Sequence, residues 1–390
     1  MMRLSPGIRD MEPYPFEELD RRKREALDAG RVLIDFGVGD PRDHTPSFIR
    51  EALKDAIVPA SSYPRAAGLP ELRDAIVAWV DRRFGVALDP ATDLIPTLGS
   101  KEPIFGLAQA ALDPANGRDL IVVTAPGYTI PERGARFAGG DVLRLPLVEP
   151  GFLPHLTGID GATWERAAIL WLNYPNNPTG AVAPPGFLEQ AAELARRHDF
   201  LLALDEAYSE LWFDAGPPGS GLQLGDLQNV VVFNTLSKRS NMTGYRSGFM
   251  AGDRRLIAAA KALRPSTGVT PQEFVQRASV AAWNDEAHVV EQRERYAARR
   301  ALFLQLFRAS GVEIAGSVSG MYLWVGVPGG RPSATWALEL LDRGIVVAPG
   351  SFFGPEGEGY VRMAMVPTLE DCVRAVDILA QTLSDPAVTA

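Results

Sequence analysis

Apolar residues along this chain of 390 residues form two alternating patterns. Short uninterrupted apolar runs, typical of strands that are covered on both faces, alternate with stretches in which apolar positions recur at helical spacing. The runs that we predict to be strands in the first part of the chain are IVVT, a segment near Val142, AAILWLN, FLLAL, NVVVFN and SGFMAG. This alternation predicts an α/β fold with a mostly parallel sheet that is covered by helices.

The periodic stretches and the proline and glycine residues that bound them predict the helices. Helices are expected at Tyr14 to Leu27, Ser47 to Ile57, from Pro70 through Val80, Gly106 to Leu112, Pro184 to His198, Glu286 to Ser310, Ala334 to Arg343 and Leu369 to Leu383. Near the C-terminus, VEIAGSVSGMYLWVGV predicts an antiparallel hairpin or meander, and IVVAPG and YVRMAM predict further strands. Because the chain is long for one domain, we predict a large domain over residues 40–285 and a smaller α+β domain from residues 1–39 and 286–390.

Composition and charge narrow the possible functions. A formal net charge of −9 argues against a nucleic-acid-binding surface. The single cysteine, Cys372, excludes an internal disulfide, and four histidines without ligand spacing predict no metal site. No apolar run approaches the roughly 18 residues of a membrane span, and the first residues, MMRLSPGIRD, lack the layout of a signal peptide. We therefore expect a cytoplasmic protein that does not enter a membrane.

A glycine-rich segment, GVGDP, follows the first short predicted strand, Val32 to Phe36. Gly37 and Gly39 have the spacing of the first two glycines of a dinucleotide-binding fingerprint, but Arg42 stands where the third glycine is needed. A nucleotide-dependent dehydrogenase is therefore disfavoured.

Four polar side chains each follow a different predicted strand at its carboxyl end, where ligands bind in open α/β sheets. They are Tyr128, Asn177, Asp205 and Lys238. Ser100 and Lys101 open a predicted helix, and backbone N–H groups at such a position bind anions. Arg362 lies in a short apolar strand, so it pairs either with a structural acid or with a substrate carboxylate.

A lysine, an aspartate, an arginine and an anion site in one cleft match the needs of pyridoxal phosphate (PLP). This cofactor requires an imine-forming lysine, an acid that keeps its ring nitrogen protonated, and groups that bind its phosphate. Lys238 and Asp205 are the candidates for the first two roles, and Arg246 follows the lysine by eight residues. The residues thus predict a PLP enzyme centred on Lys238.

The motifs NNPTG, DEAY, SKRSNMTGYRSG and VRM occur in this order. Together they resemble the fold-type I PLP-dependent aminotransferases of class I/II, and the resemblance covers nearly the whole chain. It implies a large domain built on a seven-stranded type of sheet. It also implies a homodimer whose two chains share each active site.

The resemblance implies a role for each matching residue. Lys238 resembles the Schiff-base lysine, Asp205 the partner of the pyridinium nitrogen, and Tyr128 the aromatic residue stacked on the ring. The other matches are Asn177 and Tyr208 as donors to the ring hydroxyl, Ser100, Lys101, Thr235, Ser237 and Arg246 around the phosphate, Tyr63 as the residue lent by the neighbouring subunit, and Gly39, Asn177 and Arg362 around the substrate carboxylate.

The lysine segment SKRSN followed by GYRSGF most resembles N-succinyldiaminopimelate aminotransferases, as do SYPRAAGLPELR and PTLGSKEPIF. This resemblance implies glutamate as the amino donor and a role in lysine biosynthesis. Aminotransferases for LL-diaminopimelate, aspartate or aromatic amino acids remain alternatives. So does a PLP β-lyase, because it shares the same residues around the cofactor. A non-catalytic PLP-fold regulator is disfavoured, because only about thirty residues precede the fold.

Overall fold

We describe a computed structural model of the chain, which covers residues 6–9, 16–60 and 62–385. Its helices are α1 (Pro6–Arg9), α2 (Phe16–Asp28), α3 (Ser47–Asp55), α4 (Pro70–Phe84), α5 (Lys101–Ala111), α6 (Ile130–Phe137), α7 (Gly161–Arg166), α8 (Pro185–His198), α9 (Leu236–Arg239), α10 (Arg254–Thr267), α11 (Glu273–Asn284), α12 (Ala287–Ala309), α13 (Ser333–Asp342) and α14 (Leu369–Leu383). Its strands are β1 (Ile34–Asp35), β2 (Leu94–Thr97), β3 (Leu120–Ala125), β4 (Asp141–Pro146), β5 (Ala167–Asn173), β6 (Leu201–Asp205), β7 (Val230–Thr235), β8 (Gly248–Gly252), β9 (Ile314–Ala315), β10 (Tyr322–Gly326), β11 (Ile345–Val346), β12 (Ala348–Pro349) and β13 (Tyr360–Ala364).

The largest sheet has seven strands in the order β2-β8-β7-β6-β5-β3-β4. The five strands from β7 to β4 pair in parallel, and β8 is antiparallel to both of its neighbours. Every residue of β5 and of β7 is buried, as their bare apolar sequences predict. The predicted α/β fold is therefore confirmed. Parallel strands end at the same edge of a sheet, so the segments after β5, β6 and β7 lie next to one another.

A second, antiparallel sheet has the order β12-β13-β10-β9, and β1 pairs in parallel with β11. Apolar residues of α12, α13 and α14 pack against these strands in one hydrophobic cluster. Leu94, Trp79 and Trp283 belong to a different cluster, which packs on the large sheet. Trp324 and Ala348, from the C-terminal part of the chain, also belong to this cluster on the large sheet. The predicted domain boundaries stay a prediction.

Most predicted elements are present with shifts of a few residues at their ends. The predicted helix start at Tyr14 lies outside the described residues, as does most of MMRLSPGIRD. The run IVVAPG forms two strands instead of one, because β11 pairs with β1 whereas β12 pairs with β13. Within the described ranges, no helix is both long enough and apolar enough to cross a membrane.

Candidate active site

A cavity of about 480 Å³ lies at the carboxyl ends of the parallel strands. Twelve of the predicted site residues line it, from both sheets and from the loops between them. They are Gly39, Ser100, Lys101, Tyr128, Asn177, Asp205, Tyr208, Thr235, Ser237, Lys238, Arg246 and Arg362. Tyr63 is the exception, since it does not line the cavity of its own chain and its side chain is fully exposed.

Lys238 is held at the cavity by one short helical turn, α9. Thr235 ends β7 and caps this turn, because its hydroxyl oxygen accepts a hydrogen bond from the Ser237 N–H at 3.1 Å. The Lys238 amine donates to the carbonyl oxygen of Gly39. The pKa of Lys238 is lowered to about 8, chiefly by burial and also by the positive charge of Arg362, whereas Asp40 acts in the opposite direction. The amine can therefore exist in its neutral, nucleophilic form near neutral pH.

Asp205 is the last residue of β6, and it is buried opposite Asn173 in the register of β5 and β6. Its carboxylate accepts a hydrogen bond from the Ala207 N–H at 3.2 Å. Burial raises the pKa of Asp205 to about 7, and the charge of Lys238 partly offsets this effect. An additional cation beside Asp205, such as a protonated ring nitrogen, would favour its ionised form.

The start of α5 and the segment around Arg246 form an anion-binding site. Gly99 has a φ of +69°, which turns the chain into α5 so that the N-terminus of this helix faces the cavity. Arg246 donates to the carbonyl oxygens of Thr243 and Leu98, at 2.8 and 3.0 Å. Burial lowers the pKa of Lys101, and the charges of Arg246 and Arg133 lower it further. Cations gathered in this way, beside the hydroxyls of the Thr235 turn, favour a bound phosphate.

Arg362 lies on β13 at the opposite wall of the cavity and is buried. Its guanidinium donates to Asn177 Oδ1 at 2.8 Å and to the carbonyl oxygen of Gly37 at 2.7 Å. Both acceptors are neutral. Its guanidinium carbon also lies 4.3 Å from the ring centre of Tyr322. The arginine therefore has the position and the charge to bind a carboxylate in the cavity that it lines.

Several residues that line the cavity were not predicted from the sequence. Tyr322 forms a hydrogen bond of 2.9 Å with Tyr208 between their hydroxyls, and Asn173, Asp20, Asp40 and Phe353 also line the cavity. Asn173 could have been found, because it is the last residue of a predicted strand. Tyr322 carries no such signal, because an aromatic residue in an apolar strand is usually a core residue.

These residues fit PLP. The cavity combines a buried amine, a buried carboxylate and a cationic anion site, and the Tyr128 ring lies among them. A bound phosphate would offset the charges of Arg246 and Arg133, which add to burial in lowering the pKa of Lys101. Among the described residues, no group of three or more histidine, cysteine or acidic side chains could hold a metal ion.

Comparison with known proteins agrees with this arrangement. Residues 31–379 match the family described as aminotransferase class I and II. The chain is 37% identical over 385 residues to an LL-diaminopimelate aminotransferase of Dehalococcoides mccartyi, with 97% of this chain and 98% of that protein covered. It is 38% identical over 370 residues to an LL-diaminopimelate aminotransferase of Nitratidesulfovibrio vulgaris, with 93% and 95% covered.

Solved structures show the same fold. An aspartate aminotransferase of Thermus thermophilus with maleate is 30% identical and superposes with a TM-score of 0.89, covering 98% of this chain and 100% of that one. A probable N-succinyldiaminopimelate aminotransferase of the same species is 31% identical, with a TM-score of 0.86 and coverage of 94% and 99%. The chain belongs to the class I and II aminotransferases, a PLP-dependent family of transaminases.

Proposed function

We propose that this PLP-dependent aminotransferase moves an amino group between LL-diaminopimelate and the keto acid of glutamate. The relatives at 36% to 38% identity support this choice, because they are described as LL-diaminopimelate aminotransferases and match nearly the whole chain. The motifs SYPRAAGLPELR and PTLGSKEPIF alone favour the N-succinyl compound. The relatives support free LL-diaminopimelate better.

The charged residues that line the cavity distinguish between these two substrates. Lys238 and Asp205 are assigned to the cofactor, Lys101 and Arg246 to the phosphate, and Arg362 to the substrate's α-carboxylate. The remaining charged residues that line the cavity are acidic, namely Asp20 and Asp40.

The far end of free LL-diaminopimelate carries an ammonium group and a carboxylate, so its net charge is zero. The succinyl amide removes the ammonium charge and adds a second carboxylate. Two acidic side chains at the cavity would therefore favour the zwitterionic end over the doubly anionic one. Asp40 is exposed, and Asp20 is partly exposed and lies 3.4 Å from the Lys23 amine. The N-succinyl compound is the second candidate, supported by the structural likeness to the probable N-succinyldiaminopimelate enzyme.

The chain's own residues bind and orient the substrate and move its α-proton. When PLP is bound, its protonated ring accepts the electrons that remain as this proton leaves. Arg362 binds the α-carboxylate and so fixes which face of the substrate meets Lys238. Because burial lowers the pKa of the Lys238 amine to about 8, this amine can accept a proton and return it near neutral pH. The ionised Asp205 keeps the ring nitrogen charged.

Steady-state assays of the purified holoenzyme test the substrate. We expect LL-diaminopimelate with 2-oxoglutarate to have a kcat/KM at least about tenfold above that of N-succinyl-LL-diaminopimelate, since about 1.4 kcal/mol of charge discrimination suffices. In Asp20→Asn and Asp40→Asn this preference should shrink, because the repulsion of the succinylated end is reduced. Equal or higher activity with the succinylated compound would reject the proposal. Release of pyruvate or ammonia without a keto-acid acceptor would indicate a lyase.

We also propose that the enzyme is a homodimer with shared active sites. Tyr63 is fully exposed, and the neighbouring Ile57 and Val58 are 60% and 61% exposed. These exposed side chains in one segment support a contact surface there. A cytoplasmic location remains a prediction from the sequence.

A further inference from the structure

The segment that follows Lys238 is held by a polar face of α12 that contributes nothing to the cavity lining. His288 and Gln292 lie one helical turn apart on α12, so both side chains point to the same side of the helix. Both are buried, at 8% and 2% exposure. They contact Ser240 and Asn241, the second and third residues after the lysine.

His288 bonds through both ring nitrogens. Nδ1 lies 2.6 Å from Asp285 Oδ1, and Nε2 lies 2.8 Å from the hydroxyl oxygen of Ser240. An ionised carboxylate only accepts hydrogen bonds, so Nδ1 carries the proton and Nε2 of the neutral ring accepts from Ser240. Burial lowers the pKa of His288, which favours this neutral ring. Ser240 is the C-terminal cap of α9, where its backbone N–H donates to the carbonyl oxygen of Leu236, so the histidine contacts the residue that ends the turn carrying Lys238.

Gln292 forms a second connection of the same kind. Its amide and the amide of Asn241 exchange two hydrogen bonds, at 2.9 and 2.8 Å. Asn241 has a positive φ of 52°, a conformation that needs support from its surroundings in a residue other than glycine. The Thr45 hydroxyl donates to the carbonyl oxygen of Asn241 at 2.6 Å. The chain is therefore held on several sides directly after the lysine.

The same helix also reaches the loop that faces the Lys238 amine. Arg299 forms two hydrogen bonds with the carboxylate of Asp43, at 2.6 and 2.7 Å, three residues after Asp40. It also donates to the carbonyl oxygen of Met365, near the end of the strand that carries Arg362. One buried polar face of α12 thus contacts the lysine turn, the loop beyond Gly39 and the strand of the carboxylate-binding arginine.

From these contacts we infer that His288 is a positioning residue for proton transfer by Lys238, and that it acts through Ser240. The bond from Nε2 to the serine hydroxyl fixes the end of α9 and with it the direction of the amine. Gln292 supports the same turn through Asn241. Loss of the Nε2 bond should leave cofactor and substrate binding intact and slow the step in which the amine takes the α-proton. The inference rests on the proposed role of Lys238, which Lys238→Ala tests separately.

Two substitutions of His288 distinguish the hydrogen bond of Nδ1 from that of Nε2. In His288→Gln the side-chain amide reaches the place of Nε2 and can still bond Ser240, whereas in His288→Asn it reaches only the place of Nδ1 beside Asp285. Ser240→Ala removes the same bond from the other side. Val289→Ala is the matched control, since it removes buried volume from α12 at the adjacent position without removing a side-chain hydrogen bond.

The readouts on the holoenzyme are kcat, KM, the kinetic isotope effect with an α-deuterated amino donor, and the pH dependence of the visible cofactor absorbance. We expect His288→Asn and Ser240→Ala to lower kcat at least about tenfold, because displacement of a reacting group by ~1 Å costs up to roughly a hundredfold. KM should stay within about twofold, and the isotope effect should rise as proton transfer becomes limiting. His288→Gln should retain most of the activity.

A purely structural role predicts a different pattern. His288→Asn, His288→Gln and Val289→Ala would then lower the melting temperature while the isotope effect and the absorbance pH profile stay unchanged. That result would overturn the inference. If His288→Asn does not fold, Ser240→Ala decides: a normal isotope effect and kcat in this variant would equally reject a positioning role. Failure of Lys238→Ala to abolish turnover would instead reject the role of the lysine itself.

Discussion

Two buried groups with shifted pKa values define this site at the scale of single residues. Burial disfavours the charged forms, so it lowers the pKa of Lys238 to about 8 and raises that of Asp205 to about 7. Ordinary values for the two groups are 10.5 and 3.8, so both groups titrate far closer to neutrality than usual. Groups perturbed in this way are typical of catalytic sites.

The raised pKa of Asp205 predicts how the stability of the cofactor-free protein depends on pH. The unfolded carboxyl loses its proton near 3.8 and the folded one near 7, so the folded state binds more protons in between. Stability should therefore fall as pH rises from about 4 to 7, by up to roughly 4 kcal/mol. In Asp205→Asn this part of the decline should disappear. Urea unfolding of both proteins at several pH values measures it, and identical pH profiles would contradict the shift.

Removal of the Lys238 amine should abolish turnover without abolishing PLP binding. In Lys238→Ala the anion site of Lys101 and Arg246 is unchanged, so the protein should still bind PLP without a covalent bond. Turnover should fall by at least about 10⁴-fold, since both nucleophile and proton acceptor are lost. Cofactor retention after gel filtration and initial rates measure the two effects. A variant with normal rates would show that another group performs the chemistry.

The sequence was enough to predict a site residue where that residue lies at the end of a recognisable strand. Asp205 and Lys238 follow apolar runs whose identity as parallel strands is plain from the sequence, so their meeting in one cavity could be predicted. Tyr322 could not, because its place beside Arg362 depends on the pairing of β10 with β13, which brings it opposite Ala364. Local periodicity contains no information on such register between distant strands.

At the scale of elements, fully buried strands were easier to predict than helices. The runs of β5, β6 and β7 are apolar without interruption, whereas α10 and α11 were not predicted. Helix α10 contains Pro265, a residue that normally marks a helix end. Helix α11 buries Gln276 and Ser279 among its apolar residues, so its apolar stripe is interrupted in the sequence. Tertiary contacts of these polar residues decide the structure there.

In the turn between β2 and α5, a methyl group added at Gly99 should disturb the phosphate site. A Cβ at Gly99 would lie 2.6 Å from Arg246 Nη2, and the φ of +69° is unfavourable for alanine by about 1 to 2 kcal/mol. We expect Gly99→Ala to displace the arginine and to weaken PLP binding about tenfold, as measured by titration of the cofactor-free protein. Gly106→Ala within α5 is the control, because its Cβ meets open space and should add about 0.5 to 1 kcal/mol of stability. Equal PLP affinity in both variants would contradict this role of Gly99.

At the scale of the whole molecule, one chain supplies nearly all of the predicted site. Every predicted residue except Tyr63 lines the cavity of its own chain. Tyr63 is fully exposed, in a segment between α3 and α4 that carries the exposed Ile57 and Val58. If this segment contacts a second copy, Tyr63 of one chain can reach the phosphate site of the other.

Mixing two defective variants distinguishes a shared site from a self-contained one. Tyr63→Ala should bind PLP more weakly and lose most activity at low cofactor concentration, and Lys238→Ala should be inactive. In a mixed dimer with shared sites, the chain that keeps Lys238 receives an intact Tyr63 from its partner, so one of the two sites is complete. Refolding the two variants together should therefore restore activity, up to about one quarter of the unmodified enzyme, because half of randomly formed dimers are mixed and each has one working site. If Tyr63 acts within its own chain, or if the protein is a monomer in sedimentation, mixing restores nothing.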